Sequence, residues 1–292
     1  MHHEGTVIKA CGGHYYVSLG EEIYDCAVRG RLRREKQQIL VGDRVIFSPH
    51  SCGQGVIEDI CPRQTRLVRP PVANVDRALI VFSVKEPPPN TFLLDRFLVQ
   101  AQHAGVNPAI CFNKVDLGEE NIKDIYNVYR RAGYPVVCAS TRDGRGLEEL
   151  RTLLKGHITV LAGPSGVGKS SLLNALIPGL NLKTGEVSRK LGRGRHTTRH
   201  VELLRLPGGG LVADTPGFSS LYLPEIKREE LGKFYLEFIA YQNDCRFNTC
   251  LHFQEPGCAV KEAVKAGEIS TFRYENYVQL LQEVMELERR YW

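Results

Sequence analysis

Asn113-Lys114-Val115-Asp116 and Gly163-Pro164-Ser165-Gly166-Val167-Gly168-Lys169-Ser170 decide the fold, by their order as much as by their content. The second stretch is a G-x-x-x-x-G-K-S loop that follows the apolar run Ile158 to Ala162 and leads through Ser171 into a helical pattern. Its glycines let successive backbone N–H groups turn inward around phosphate oxygens, and the helix that follows adds the positive end of its dipole. Lys169 is placed to reach the β- and γ-phosphates, and the Ser170 hydroxyl to ligate Mg²⁺. The first stretch, N-K-x-D, follows the apolar run Ala109 to Phe112. A carboxylate at Asp116 accepts both donors on the N–H/NH₂ edge of guanine. Adenine lacks that pair, so the motif predicts GTP rather than ATP. Asn113 is expected to support base and loop, and the stem of Lys114 to cover the ring face. Ala139 and Ser140, after the next apolar run, fit a loop whose backbone contacts the guanine carbonyl.

In an ordinary GTPase the phosphate loop comes first and the base reader last. Here the order is reversed, which predicts a circularly permuted nucleotide domain. Asp214-Thr-Pro-Gly217 follows another apolar run. An acidic residue at the end of a strand beside the phosphate-loop strand can hold Mg²⁺, and the Gly217 N–H is then placed to sense the γ-phosphate. Residues 185–200 are glycine-rich and basic, and one of Thr197 and Thr198 is expected to close on Mg²⁺ and the γ-phosphate. Phe218 stands where many GTPases carry a water-orienting Gln, so His196 is the nearest candidate for that task. An exposed RNA contact is the other reading of His196.

Around this centre the pattern changes twice. Residues 1–70 alternate short β-patterned runs with glycine turns, predicting a small closed barrel of the oligonucleotide-binding (OB) type, with an SH3-like barrel as its competitor. After Pro70-Pro71, residues 71–220 alternate apolar strands with amphipathic helices, predicting a mostly parallel sheet covered on both faces. Residues 221–292 are expected to be a helical module, with helices at 226–241 and 270–290. Between those helices Cys245-x4-Cys250-x-His252-x5-Cys258 offers three thiolates and one imidazole, a complete tetrahedral set for structural Zn²⁺ with no position left open for catalysis. The new chain end past Gly217 falls in the switch region, so this module is expected to be coupled to the switch.

No apolar run approaches the ~20 residues that span a bilayer, and the N-terminus lacks the apolar core of a signal peptide, so a cytoplasmic protein is expected. Nine cysteines, six of them scattered without a framework, suit a reducing compartment. The net charge of +5 is modest, but it gathers in three runs: Arg29 to Lys36, Arg63 to Arg69, and Arg189 to Arg199. Clustering of that kind points to an acidic partner such as RNA.

Taken together, the permuted order, the D-T-P-G-F run, the G-R-H-T-T segment (Gly194 to Thr198) and the C-x4-C-x-H-x5-C cluster resemble the ribosome small-subunit-dependent GTPase A family over nearly the whole chain. The resemblance implies an OB domain, a circularly permuted GTPase domain and a C-terminal zinc-binding domain. It also implies a monomeric, Mg²⁺-dependent GTPase that hydrolyses GTP to GDP and phosphate, contacts ribosomal RNA in late maturation of the small ribosomal subunit and is stimulated by that subunit, with His196 as the proposed catalytic histidine. Pro164 stands where the family often has a polar residue. A constitutive RNA-binding scaffold is the alternative class, and a P-loop ATPase or kinase is opposed by Asp116.

Overall fold

The computed structural model describes residues 2–30, 32, 38–68, 70–183, 201–216 and 223–290. Strands β1 (His3–Cys11), β2 (His14–Leu19), β3 (Glu22–Val28), β4 (Arg44–Pro49) and β5 (Gln54–Ile60) close a barrel in the order β1-β2-β3-β5-β4. Alternation along the strands sends Val7, Val17, Cys26, Val45, Phe47 and Ile57 into its interior. Gly5 lies on the inner side where β1 crosses its neighbours, and a Cβ there would stand 2.5 Å from Val17 Cγ1. The five-stranded closure, with β1 pairing β4 and β3 running parallel to β5, is the OB arrangement rather than the SH3-like one. At Pro70-Pro71 a short antiparallel pair, β6 (Arg66–Leu67) and β7 (Val72–Ala73), leads out of the barrel.

The central sheet holds β8 (Arg77–Ser83), β9 (Asn107–Asn113), β10 (Val136–Ala139), β11 (Ile158–Ala162), β12 (Leu203–Arg205) and β13 (Leu211–Pro216), in the order β10-β9-β8-β11-β13-β12. Its pairs are parallel except β12–β13. Helices α1 (Thr91–His103) and α2 (Lys123–Arg131) cover one face, where Leu94, Phe97 and Tyr129 meet Ile80, Phe82 and Phe112. On the other face α3 (Leu147–Leu154) and α4 (Lys169–Leu176) bring Leu150, Leu154, Leu172 and Leu176 against Leu79, Val81 and Val137. Successive β8 residues thus serve opposite cores, which is why the strand reads as an unbroken apolar run.

The phosphate-loop strand β11 lies at the centre, reached from α3 across only Lys155, Gly156 and His157. His157 closes that short connection: its Nδ1 lies 3.0 Å from Asp76, its Nε2 2.9 Å from Arg77 Nη2, and the second Asp76 oxygen accepts the Ile158 N–H at 2.9 Å.

The C-terminal module contains α5 (Arg228–Leu231), α6 (Ala259–Lys265) and α7 (Thr271–Arg290). The expected helix over 226–241 is one helical turn followed by 3₁₀ turns at Gly232–Phe234 and Leu236–Phe238. Extended backbone at Tyr235 interrupts it and lets that ring bury between Phe238 and Tyr277. Helix α6 was not anticipated.

The module's described docking runs to α1. Arg273 of α7 is fully buried; it donates to Glu237 and to Asp95 of α1, while Asn276 donates to the other Asp95 oxygen at 2.7 Å. Arg96 and Glu283 form a second ion pair across the same joint. Residues 217–222, where the coupling was expected, lie outside the described residues.

Candidate nucleotide and metal sites

The two motifs separated in sequence are in direct contact in space. Parallel pairing of β8 with both β9 and β11 brings their C-terminal ends to one side of the sheet, where open α/β folds bind ligands. Asn113 is buried, and its Nδ2 donates to Val167 O at 2.9 Å. Lys114, in left-handed backbone, donates its Nζ to Gly166 O at 2.8 Å and to Glu86 O. The base reader therefore clasps the phosphate loop from outside. Two loop glycines are required by close neighbours: a Cβ on Gly163 would lie 2.1 Å from Val81 O of β8, and one on Gly168 2.3 Å from Asn113 Nδ2. Asn113 Oδ1 is buried with no hydrogen-bond partner among the described residues, an acceptor suited to a bound base or its loop.

Asp116 is aimed by its neighbour. The Ser140 hydroxyl donates to Asp116 Oδ1 at 2.7 Å and accepts the Arg142 N–H at 3.2 Å. Ser140 is thus a side-chain partner of the carboxylate expected to read the base, in addition to the backbone role expected of Ala139 and Ser140. Gly146 makes the loop possible, because a Cβ there would sit 1.9 Å from Cys138 O. Pro164, Ser165 and Gly166 form the rim of the phosphate loop, Val167 packs into the core, and Ser170 and Ser171 open α4. Lys169 is 5% exposed and donates to Gly163 O at 2.7 Å and Pro164 O at 2.6 Å. Burial lowers its ammonium to about 8, with no carboxylate among the described residues to hold the charge. A polyphosphate at this loop supplies that missing charge.

Asp214 sits on β13, next to the phosphate-loop strand. Its Oδ1 accepts the Glu202 N–H at 3.1 Å, and its own N–H donates to Glu202 O at 2.9 Å. With Ser170 at the start of α4, it offers the oxygen donors that Mg²⁺ takes beside phosphates. His196, Thr197, Thr198 and Gly217 lie outside the described residues.

Far from the nucleotide loops, the sulfurs of Cys245, Cys250 and Cys258 and a ring nitrogen of His252 all lie within 4.8 Å of one another. Cys245 Sγ is 3.9 Å from Cys258 Sγ and 3.5 Å from His252 Nδ1, and Nδ1 is 3.4 Å from Cys258 Sγ. Tetrahedral zinc with ordinary bond lengths requires S···S of about 3.8 Å and S···N of about 3.6 Å, so the donor set fits. Burial pushes the Cys250 thiol up to about 12 and lowers His252, so a cation is what would draw the thiols into their ligating form. The loop is braced from outside: Tyr274 Oη donates to His252 O at 2.9 Å, Tyr277 Oη to Leu251 O at 2.7 Å, and Glu255 accepts the Leu251 and Phe253 N–H groups.

The family model described as RsgA GTPase matches residues 60–224, more than half of the chain. The chain belongs to the RsgA GTPase family. A second model, the RsgA N-terminal domain, matches residues 4–57. "Small ribosomal subunit biogenesis GTPase RsgA" of Moorella thermoacetica is 50% identical over 288 residues, covering 99% of each chain. Its namesake in Alkaliphilus metalliredigens is 47% identical over 291 residues, again covering 99% of each. The crystal structure of YjeQ from Thermotoga maritima is 40% identical and superposes with a TM-score of 0.86, covering 98% of this chain and 99% of that one. YloQ, described as a circularly permuted GTPase, is 39% identical with a TM-score of 0.85, covering 98% and 96%. As an RsgA-family chain this protein is a GTPase of permuted order, as its motifs imply.

Two contributors to the site carried no motif. Ser83, fully buried at the end of β8, accepts the N–H groups of Lys85 and Glu86 and so shapes the loop whose Glu86 carbonyl receives Lys114. Glu202 holds the Asp214 carboxylate through its backbone, a role independent of side-chain type. The RsgA-family basic runs are also less free than their charge suggests. Arg63 is committed to buried Asp43 through bonds of 2.6 and 2.8 Å, and Arg29 pairs with Glu58. Among the described residues, no helix is long and apolar enough to cross a membrane.

Proposed function

We propose that this GTPase acts in late assembly of the small ribosomal subunit, binding ribosomal RNA and accelerating GTP hydrolysis when the subunit is bound. The clasp of Asn113 and Lys114 on the phosphate loop, with Asp116 aimed by Ser140, carries the nucleotide half of this reading. The names of the full-length relatives support the subunit half. In this reading Asp116, Asn113, Lys114, Ala139 and Ser140 hold guanine, while Gly163 to Ser171 cradle the phosphates. Lys169 neutralises charge developing on the γ-phosphate, and Ser170 and Asp214 hold Mg²⁺. His196 orients the attacking water, Thr197 or Thr198 closes on Mg²⁺, and Gly217 senses the γ-phosphate. Cys245, Cys250, His252 and Cys258 hold one structural Zn²⁺. The protein works as a cytoplasmic monomer with units at 1–70, 71–220 and 221–292, the first carrying RNA contacts.

The test is GTP turnover by the purified chain with and without small subunits, at two salt concentrations. Stimulation that fades at the higher salt is the expected result, because phosphate contacts release counterions. Turnover indifferent to subunits would leave only the scaffold reading. Full subunit-stimulated turnover by His196→Ala would remove the histidine from catalysis.

A further inference from the structure

The β12 edge of the central sheet is covered by the barrel, and the covering contact falls on Glu202. Lys9 of β1 and Glu202 form an antiparallel bridge, with Lys9 Nζ 3.0 Å from Glu202 Oε2. Arg205, on β12 itself, fastens the same seam by donating to Ser18 Oγ at 2.6 Å, Glu21 O at 2.6 Å and Glu22 O at 3.0 Å. Behind the seam Ile8 and Val41 of the barrel share one apolar core with Val201, Leu203 and Ala213. Glu202 is also tied the other way, by the reciprocal bonds to Asp214 at 3.1 and 2.9 Å. A single residue therefore has its backbone on the Asp214 carboxylate and its side chain on the barrel.

We propose that Lys9 and Glu202 are positioning residues for the Asp214 carboxylate, so that the barrel sets the geometry of the Mg²⁺ side of the nucleotide site. This rests on the reading of Asp214 as a Mg²⁺ holder. The Glu202 N–H fixes Oδ1, and with it the direction in which the second carboxylate oxygen points. Rotation of Glu202 about the strand axis would turn that oxygen away, and the Lys9 pair opposes the rotation. Both side chains are 39% exposed, so the pair is a weak restraint that a ligand on the barrel can shift. A polyanion on the barrel that drew Lys9 to its phosphates would release Glu202 and retune Asp214.

The experiment measures kcat and KM for GTP against Mg²⁺ concentration in the full chain. Its variants are Lys9→Met, the swap Lys9→Glu/Glu202→Lys, Arg205→Met and Asp214→Asn. Lys9→Met should raise the Mg²⁺ concentration at half-maximal turnover about two- to fivefold, the scale of an exposed ion pair. GDP affinity in Mg²⁺-free buffer should not change. The swap should restore the parental value, and Arg205→Met, which loosens the seam without touching the pair, should shift it less than Lys9→Met. An unchanged Mg²⁺ dependence in Lys9→Met would overturn the proposal, as would an equal shift in Arg205→Met or failure of the swap to restore. If Asp214→Asn itself leaves the Mg²⁺ dependence unaltered, the reading of Asp214 fails first, and that outcome is distinct from failure of the barrel coupling.

Discussion

Replacing Arg273 with Met tests the joint between the C-terminal module and the nucleotide domain. The guanidinium is 1% exposed and donates to both Glu237 oxygens, at 2.6 and 3.0 Å, and to Asp95, which is fully buried. The rings of Tyr235, Tyr129 and Tyr134 stand 4.5, 5.0 and 5.6 Å from its carbon centre. Met fills much of the same volume but leaves two carboxylates facing one another without a cation. Breaking a buried pair from one side costs about 3–5 kcal/mol, whereas replacing all partners with apolar residues costs little. Burial already pushes the Asp95 carboxyl up, against the pull of Arg273, Tyr129 and Asn276. Without Arg273 it rises further. A raised carboxyl makes the folded state bind more protons, so the variant's stability falls as pH rises through the window between the unfolded and folded values. Its deficit should accordingly be smaller at acidic than at neutral pH. A chain of several domains has no single unfolding free energy, so hydrogen exchange of the α7 amides is the appropriate assay. Protection should drop roughly a hundredfold or more at neutral pH, the equivalent of the lower end of that cost. The apolar triple variant Asp95→Leu/Glu237→Met/Arg273→Met should recover part of it, because Tyr129 and Asn276 then lose their Asp95 acceptor. Unchanged α7 protection in the single variant, or no recovery in the triple, would refute the account.

Lys169 links nucleotide binding to pH: its value near 8 in the free loop must rise beside phosphates, so binding takes up a proton. Affinity for GTP, measured with a fluorescent analogue, should be flat below pH 8, fall as pH rises above it, and lose that slope in Lys169→Met. Asp116→Asn should abolish the preference for GTP over ATP, by roughly a hundredfold or more in competition binding, because the amide cannot accept both guanine donors. Ser140→Ala should weaken GDP binding about ten- to a hundredfold, the worth of one hydrogen bond to a charged group. Purified protein should hold one Zn²⁺ per chain by metal analysis. Cys258→Ser should lose it, with exchange protection falling in α6 and at 245–258 before it falls in β8 or β9.

Much of this was legible because glycine spacing, apolar runs and polar tetrads are local signals. The phosphate loop, Asp116 and the Cys245, Cys250, His252 and Cys258 cluster stand out that way, and the reversed order correctly announced a permuted domain. What stayed hidden was set by tertiary partners. Ser140 reads as a loop residue until its hydroxyl is seen on Asp116, and Ser83 reads as the end of an apolar strand. Glu202 acts through backbone groups that every residue possesses. The helix expected over 226–241 failed because burial of Tyr235 and the close approach of Gly232 to the His252 ring, 3.3 Å from a Cβ placed there, override helical periodicity. Arg63 reads in the sequence as part of a basic run that points to an acidic partner, although a buried Asp43, twenty positions away, claims its guanidinium.

The permuted topology also crosses the chain's attachments over one another. The barrel enters the sheet through β8, in the half that reads the base, yet its polar contacts are made on β12 in the half that carries Asp214. The C-terminal module leaves from β13, beside Asp214, yet it docks through Arg273, Asn276 and Glu283 on α1, the helix between β8 and the base-reading strand. Each appendage is thus covalently joined to one half of the sheet and makes these polar contacts on the other. Within the nucleotide domain, the covalent link between these halves is the short run 155–157, held by His157 and Asp76. Either appendage therefore touches both halves, once through the chain and once through its docking contacts. In the unpermuted order the same chain positions would tether each appendage to the half it already touches, and that cross-linking would be lost.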